Sequence, residues 1–237
     1  MSVDSSIIRA LSWNVHGFVG RAGKPDPDAV MQAVRSLDAD IVALQEIDER
    51  SRRPGDEATF VTLSEAFGPH STEARTIRSP DGDYGHVLMS RWPMRDTRCI
   101  DLTFARREPR MALSARVDTP DGEIHVLSAH LGLSGRERLR QLATIVESLK
   151  DADADAAIVL GDFNEWRRKG PATRALCPPF QPASQQLSFP SRAPVFSLDR
   201  IWYRPPLEAL RSRVALEYRH LSDHLAVLAE LRFTSES

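Results

Sequence analysis

The strongest constraint on the fold is a set of short apolar runs that each meet a polar side chain where the run ends or begins. Ile7–Val15 has alternating apolar residues and closes on Asn14 and His16. Ile41–Leu44 leads to Glu46, Ile124–Ala129 to His130, and Ala156–Leu160 to Asp162 and Asn164, while Leu225–Leu231 starts just after Asp223 and His224. Runs this short, bounded by turn residues, are the mark of strands. A continuous one such as Ile41–Leu44 fits a strand covered on both faces. None approaches the roughly 20 apolar residues of a membrane span. Polar residues at such ends sit where a chain leaves its core, so strand ends scattered from residue 14 to residue 224 are able to build one cleft.

Between these runs the helix signals are local. Asp26-Pro27 supplies an N-cap followed by proline at the first helical position, and Val30, Val34 and Leu37 follow at helical spacing. A second helix is expected over about Glu57 to Phe67, and Asp81-Gly82 turns the chain into the strand His86–Ser90. Cys99–Thr103, Ala112–Val117 and Ile124–His130 form a meander, with Asp121-Gly122 as a hairpin turn. Ser134 and Glu137 make a capping-box pattern that opens a helix whose inner face is read as Leu139, Leu142, Val146 and Leu149. Val195–Tyr203, Arg213–Arg219 and Leu225–Leu231 complete the strands. Prolines crowd residues 170–194 and leave little room for regular structure, so that stretch reads as a long surface loop within one domain spanning residues 1–237. Most neighbouring strands lie at hairpin distance, which predicts an α+β fold of layered, mainly antiparallel sheets.

Composition narrows the function. The chain has 31 Lys+Arg against 33 Asp+Glu, a net charge of −2, which weakens the reading of a dedicated nucleic-acid binder without excluding a local basic cleft. Its two cysteines, Cys99 and Cys177, have no CxxC pairing and read as reduced thiols. Met1 to Ser6 is polar and Arg9 interrupts Ile7–Leu11, so no secretory apolar region is recognised and the expected location is cytoplasmic. A monomer is expected.

Glu46 and Asp162, with the carboxamides of Asn14 and Asn164, form an oxygen-rich set suited to a hard cation such as Mg²⁺ or Mn²⁺. His130 and His224 add groups that exchange protons near neutral pH. No pair has zinc-motif spacing. Charged groups around Arg107–Arg110 and Arg136–Arg140 are by default solvated faces, but Arg110 and Arg136 have the guanidinium geometry to hold substrate phosphate. Arg167-Arg168-Lys169 is placed to border a cleft, and Trp13 and Trp202 read as packing residues.

Six segments in order, Ser12-Trp13-Asn14, Leu44-Gln45-Glu46, Ser128-Ala129-His130-Leu131, Gly161-Asp162-Phe163-Asn164, Leu198-Asp199-Arg200-Ile201 and Leu221-Ser222-Asp223-His224, resemble the motifs of the endonuclease/exonuclease/phosphatase superfamily. HLGLSGRERLRQL, GDFNEWRRK, FPSRAPVFSLDRIWY and YRHLSDH further resemble its small bacterial YbhP-like branch. The resemblance implies a four-layer α/β/β/α sandwich of the DNase I-like kind, with a divalent-metal phosphoesterase site at one end of the sheets. It implies that Glu46 is the principal metal ligand, supported by Asn14 and Asp223. Asp162 and Asn164 then position the attacking water and the scissile phosphate. His224, oriented by Asp199, stabilises the phosphate or transfers a proton, and His130 hydrogen-bonds the phosphate or serves the leaving group. One departure stands out: relatives commonly have Asn where this chain has His86.

The expected substrate is a phosphodiester, small or lipid-derived, hydrolysed by in-line attack of water. The alternatives are a DNA nuclease of the abasic-site repair type and an inactive binding module. The near-neutral charge favours the small substrate over DNA, because duplex binding rests on several phosphate contacts. Retention of the polar motif residues argues against the inactive module. Specificity is assigned to the loops Arg21–Asp26, Arg50–Asp56, Arg106–Arg110 and Arg167–Pro194.

Overall fold

The computed structural model describes residues 6–50, 59–67, 69–150 and 154–234. One six-stranded sheet runs β11 (Leu207–Val214), β12 (Val227–Phe233), β1 (Ile8–Asn14), β2 (Ile41–Asp48), β4 (Tyr84–Ser90), β3 (Ser71–Ile77). The other runs β5 (Met94–Asp101), β6 (Met111–Thr119), β7 (Gly122–His130), β8 (Ala156–Asp162), β10 (Asp199–Arg204), β9 (Gln181–Ser184). Each sheet is antiparallel except for one central parallel pair, β1 with β2 and β7 with β8.

Strand alternation builds the layers. Ile8, Ala10, Ile41 and Leu88 face Val126, Ile158, Leu160 and Ile201 in the apolar layer between the sheets. Leu11, Trp13, Val42 and Leu44 turn outward against α1 (Pro27–Leu37) and α2 (Thr59–Phe67). Ala157, Val159 and Trp202 turn outward on the other side against α3 (Gly135–Lys150) and α4 (Pro171–Leu176). The result is the expected α/β/β/α sandwich of the DNase I-like type.

Several local expectations hold at the level of single atoms. Asp26 caps α1 by accepting from the Ala29 N–H at 3.0 Å, and Ser134 Oγ accepts from the Glu137 N–H at 3.3 Å. Other expectations are corrected. Prolines 170–194 do not exclude regular structure: Pro171 opens α4, and Pro182 sits in β9, an edge strand, both positions where a missing N–H costs little. The strand expected at Arg213–Arg219 ends at Val214 and gives way to a 3₁₀ turn at Leu216–Tyr218. The inner face of α3 is rotated, since Leu139 is exposed while Gln141, Leu142 and Ile145 are buried. Gln141 holds that face by bridging the Gly132 N–H and the Leu102 carbonyl. β3 is polar along its length and lies at a sheet edge, so alternation did not reveal it. The expected start of the second helix at Glu57, and most of the Arg50–Asp56 loop, lie outside the described residues.

Two histidines are held neutral away from the strand ends' carboxylates. Burial, and secondarily the charge of Arg110, push His86 down to about 4, and burial with Arg116, Arg204 and Arg98 does the same to His125. The unfolded chain binds these protons near 6.5, so between pH 6.5 and about 4 it binds more protons than the folded one, and stability falls as pH falls through that window. Urea melts across it are expected to lose up to about 3 kcal/mol per histidine. His125→Gln and His86→Asn are each expected to flatten the profile; variants whose slopes match the wild type's would refute this account.

Candidate active site

The site is assembled by register. β7, β8 and β10 are neighbours, and His130 pairs with Asp162 and Asp162 with Asp199 across them, all three at positions whose side chains turn toward the other sheet. Gly161 sets this up: its φ of +141° is left-handed territory, and a Cβ there would run into the Ala129 carbonyl. From the facing sheet, Asn14 and Gln45 end the parallel pair β1–β2 side by side. Glu46 needs a further device. Simple alternation would send it outward with Leu44, but β2 bulges between Leu44 and Ile47, so that Gln45 and Glu46 together oppose His86. Glu46 adopts a φ of +58°, a conformation that costs a non-glycine residue roughly 1–3 kcal/mol. The bulge points its carboxylate into the cleft. Asp223 and His224 arrive on the turn before β12, where Ser222 Oγ donates to the Asn14 carbonyl at 2.7 Å and accepts the His224 N–H at 3.1 Å.

Asn14 Nδ2 donates to Glu46 Oε1 at 2.7 Å and to Asp162 Oδ2 at 3.0 Å, tying the two sheets together. Its oxygen is turned back to accept the His16 N–H at 3.0 Å. Asp162 Oδ1 accepts the Asn164 N–H at 2.8 Å, and Asn164 Nδ2 donates to the Leu131 carbonyl at 2.8 Å. His224 Nδ1 lies 2.8 Å from Asp199 Oδ2, and its Nε2 3.9 Å from Asp162 Oδ2. Arg110 Nη1 lies 2.7 Å from His130 Nδ1 and 3.3 Å from Nε2. A guanidinium only donates, so the closer contact makes Nδ1 the acceptor and leaves the ring proton on Nε2. That nitrogen faces Glu46 Oε1 at 3.6 Å and Asp162 Oδ2 at 3.8 Å.

The electrostatics split these groups. Burial would lift Glu46, but His16, His130 and Asn14 outweigh it and bring it down to about 2. Burial lifts Asp162 to about 6, with Asp199 adding to it against the opposing pull of His224 and the amides. Burial would lower His224, yet the charge and hydrogen bond of Asp199, with Asp162 and Asp223 behind it, carry it up to about 10. Burial and Arg110 drive His130 well below its ordinary value. At neutral pH the cluster therefore holds an ionised Glu46, a cationic His224, a neutral His130, and an Asp162 close to the point where it exchanges a proton.

Of the remaining sequence candidates, Arg110 is buried beside His130, whereas Arg136 is exposed on α3 and, among the described residues, makes no hydrogen bond or ion pair to the site. The buried arginine of that cluster is Arg138, which donates to the Gly132 and Leu133 carbonyls. Three contributors were not picked out by sequence. His16 Nδ1 lies 3.6 Å from Glu46 Oε2 and 3.7 Å from Asp223 Oδ1. Its only signal was its place at a strand end. Ser222 carries the turn described above. Arg200, fully buried, donates to the Ser197, Glu165 and Arg167 carbonyls and so fixes the loop after Asn164.

The donor set fits a divalent cation. Glu46 and Asp223 are ionisable oxygen donors whose side chains remain 25% and 43% exposed, and neither carboxylate has an arginine or lysine partner among the described residues. The carboxylate of Asp199, by contrast, is fully buried, with Oδ2 taken by His224 and Oδ1 without a hydrogen-bond partner. Glu46, His130 and Asp162 also offer donor atoms within 4.8 Å of one another.

A sandwich of two six-stranded sheets with a carboxylate–histidine cluster at the shared end of its central strands is the architecture of DNase I-like phosphoesterases. Residues 11–224 match the Endonuclease/Exonuclease/phosphatase family, and the chain belongs to it. Members of this family are hydrolases of phosphoesters and generally use divalent metals. The YbhP protein of Escherichia coli K12 is 30% identical over 94% of this chain and 95% of its own length. An endonuclease/exonuclease/phosphatase from Beutenbergia cavernae superposes with a TM-score of 0.80 at 21% identity, over 97% of this chain and 72% of that one. The Bacteroides thetaiotaomicron mannosyl-6-phosphatase Bt3783 gives 0.73 at 16% identity, over 95% and 100%. No helix among the described residues is long and apolar enough to cross a membrane.

Proposed function

We propose that this protein hydrolyses a small or lipid-derived phosphodiester with a divalent cation, Mg²⁺ or Mn²⁺, held by Glu46 and Asp223. The observation that carries the reading is the arrangement of two buried neighbours. Asp162, lifted by burial, lies 3.9 Å from Nε2 of His224, whose Nδ1 is held at 2.8 Å by Asp199. That second carboxylate keeps His224 cationic, so that a proton acceptor and a cationic donor share one cleft, as in-line hydrolysis needs. Asp162 takes the proton of the attacking water, oriented by Asn14 and by the Asn164 N–H. As the bond from the water oxygen to phosphorus forms, the bond to the alcohol breaks; His224, cationic and held by Asp199, gives its Nε2 proton to the leaving oxygen, and His130 donates a hydrogen bond from Nε2 to a phosphoryl oxygen. A divalent cation held by Glu46 and Asp223 would supply charge neutralisation to the phosphate and to the charge that develops during displacement. Asn14 is assigned here as a clamp on the two carboxylates, since its amide nitrogen, not its oxygen, faces them. Asn164 positions Asp162, and Arg110 orients His130; Arg136 has no role in this scheme.

The cleft walls favour a small substrate over a duplex. On one side Phe189 packs 4.7 Å from the His224 ring, and Phe196 meets the 48% exposed Trp166 edge-on at 4.5 Å, an apolar wall. On the other a groove of about 360 Å³ is lined by His16, Glu46, Asp48, Arg50, Tyr84 and Glu108. Asp48 already takes both Arg50 Nε and Nη2, at 2.8 and 2.7 Å, so this rim offers little free positive charge to a polyanion. The test is a hydrolysis screen with Mg²⁺ and Mn²⁺ over aryl and lipid-derived phosphodiesters, supercoiled plasmid and abasic duplex, wild type against His224→Ala. Turnover of small or lipid diesters that the variant loses is expected; turnover confined to DNA would replace this reading with the nuclease one. Glu46→Gln is expected to raise the cation concentration needed for half-maximal rate about 10-fold or more. An unchanged cation titration would take Glu46 out of the metal's coordination.

A further inference from the structure

We propose that three loops beside the cleft form a docking surface for an anionic phospholipid bilayer. Docking does not depend on the chemistry above; its use, bringing a lipid diester to the cleft, rests on that reading. The loops share one end of one sheet. β7 ends at His130, β8 ends at Asp162 and β10 begins at Asp199, and these three residues pair in register. Residues 131–136, 163–170 and 185–198 therefore gather at that end. They are tied together where the Leu131 N–H donates to the Asp162 carbonyl and the Phe163 N–H to the Leu198 carbonyl, both at 2.9 Å.

Each loop presents a large apolar side chain to water. Leu133, Trp166 and Val195 are 69%, 48% and 58% exposed. Trp166 is braced edge-on by Phe196 at 4.5 Å, and Val195 stands on a tight hairpin closed by its N–H on the Phe189 carbonyl at 2.9 Å. Apolar tips grouped at one end of a sheet are relieved of water at a bilayer surface, where tryptophan suits the headgroup level. Among them stand Arg136, Arg167, Arg168, Lys169 and Arg192, all exposed and none in an ion pair among the described residues. The acids of these loops and their flanks, Glu137, Asp162, Glu165 and Asp199, are buried. On a chain of net charge −2 this face is thus locally cationic, complementary to an anionic headgroup layer. Nucleic acid would use the charges, but its phosphates offer Leu133 and Val195 no partner, so the mixture of tips and cations favours lipid. Phe189, at the base of the same hairpin, packs 4.7 Å from the His224 ring, so a bilayer docked here lies against the mouth of the cleft.

The test mixes the full chain, with divalent cations chelated, with vesicles of phosphatidylcholine alone or with phosphatidylglycerol added. Co-sedimentation with the anionic vesicles and not with the neutral ones is expected. It is expected to bring a blue shift of tryptophan emission that brominated lipid quenches and that Trp166→Phe abolishes. Replacing Arg167, Arg168 and Lys169 together with Gln is expected to weaken binding on the order of 100-fold, about 5-fold per cation. Leu133→Ser combined with Val195→Ser, both at exposed positions, is expected to weaken it about 10-fold or more. Equal binding to the two vesicles, binding to neither, or binding that leaves Trp166 unquenched overturns the proposal, as does a short DNA duplex that these loops bind more tightly than the vesicles. Anionic vesicles that bind but yield no hydrolysed lipid diester once Mg²⁺ or Mn²⁺ is added leave the docking surface standing and remove the lipid substrate from the reading above.

Discussion

Replacing Asp162 with Asn is expected to lower kcat/KM by about 10³-fold, within the range a positioned general base contributes, and to leave thermal stability unchanged or slightly higher. Asp162 is 1% exposed and burial raises it to about 6, so its ionised form is costly in the fold. An amide of the same shape removes that cost, which offsets the loss of one of two hydrogen bonds, since its single oxygen can accept from the Asn164 N–H or from Asn14 Nδ2 but not from both. It also removes a buried carboxylate poised to accept a proton near neutral pH. Single-turnover kinetics and a melting curve on the same sample check both halves. Near wild-type turnover would displace Asp162 from the base role, and a collapse of the fold would show that its charge is structural.

Asp199→Ala is the second large effect, and it is expected on stability as well as rate. Asp199 is fully buried and is the principal reason His224 stays protonated. Deleting one partner of a buried ion pair leaves the other uncompensated, at a cost of about 3 kcal/mol. His224 then loses its proton within the physiological range, or the neutral ring is left without its orienting acceptor, and kcat/KM is expected to fall about 10²-fold or more. The sign of the pH effect follows from the raised value. The pair's contribution to stability is full below 6.5 and is lost as pH rises through about 10, so wild type and Asp199→Ala are expected to converge in alkaline melts. Asp199→Ala combined with His224→Ala is expected to be more stable than Asp199→Ala alone, because the buried imidazole left without its partner is gone. A double variant weaker than the single one would argue that packing, not charge, dominates at this position.

Most of this site was open to reading because strand parity carries it. His130, Asp162 and Asp199 lie at even steps from the inward residues Val126, Ile158 and Ile201, so alternation alone sends them to the space between the sheets. Glu46 breaks that parity. Its placement depends on a bulge and a left-handed backbone that leave no compositional trace, so its position after the apolar run Ile41–Leu44 and the family motif Leu44-Gln45-Glu46 pointed to it while alternation did not. His16 and Ser222 were obscured for another reason: their contacts join residues about 30 to 200 positions apart, which short-range spacing does not encode. Arg136 and Arg138 show the limit of charge counting, since helix rotation, fixed by Gln141, decided which arginine was buried. Proline density misled at residues 170–194 because proline is compatible with helix starts and sheet edges, the two roles it takes there.

The way the strands are shared between the sheets also sets an order in time. All six strands of one sheet come from a single stretch, Met94 to Arg204, while the other pairs Ile8 with Leu231 and so draws on both ends of the chain. As the chain leaves the ribosome, the sheet carrying His130, Asp162 and Asp199 is complete while the first strand, already beside β2, still waits for β12. Domains assemble as their parts emerge, and pairings between distant residues close last. Asp223 and His224 belong to that last closure, so the nascent chain carries part of a hydrolytic centre and completes it only once β12 has emerged.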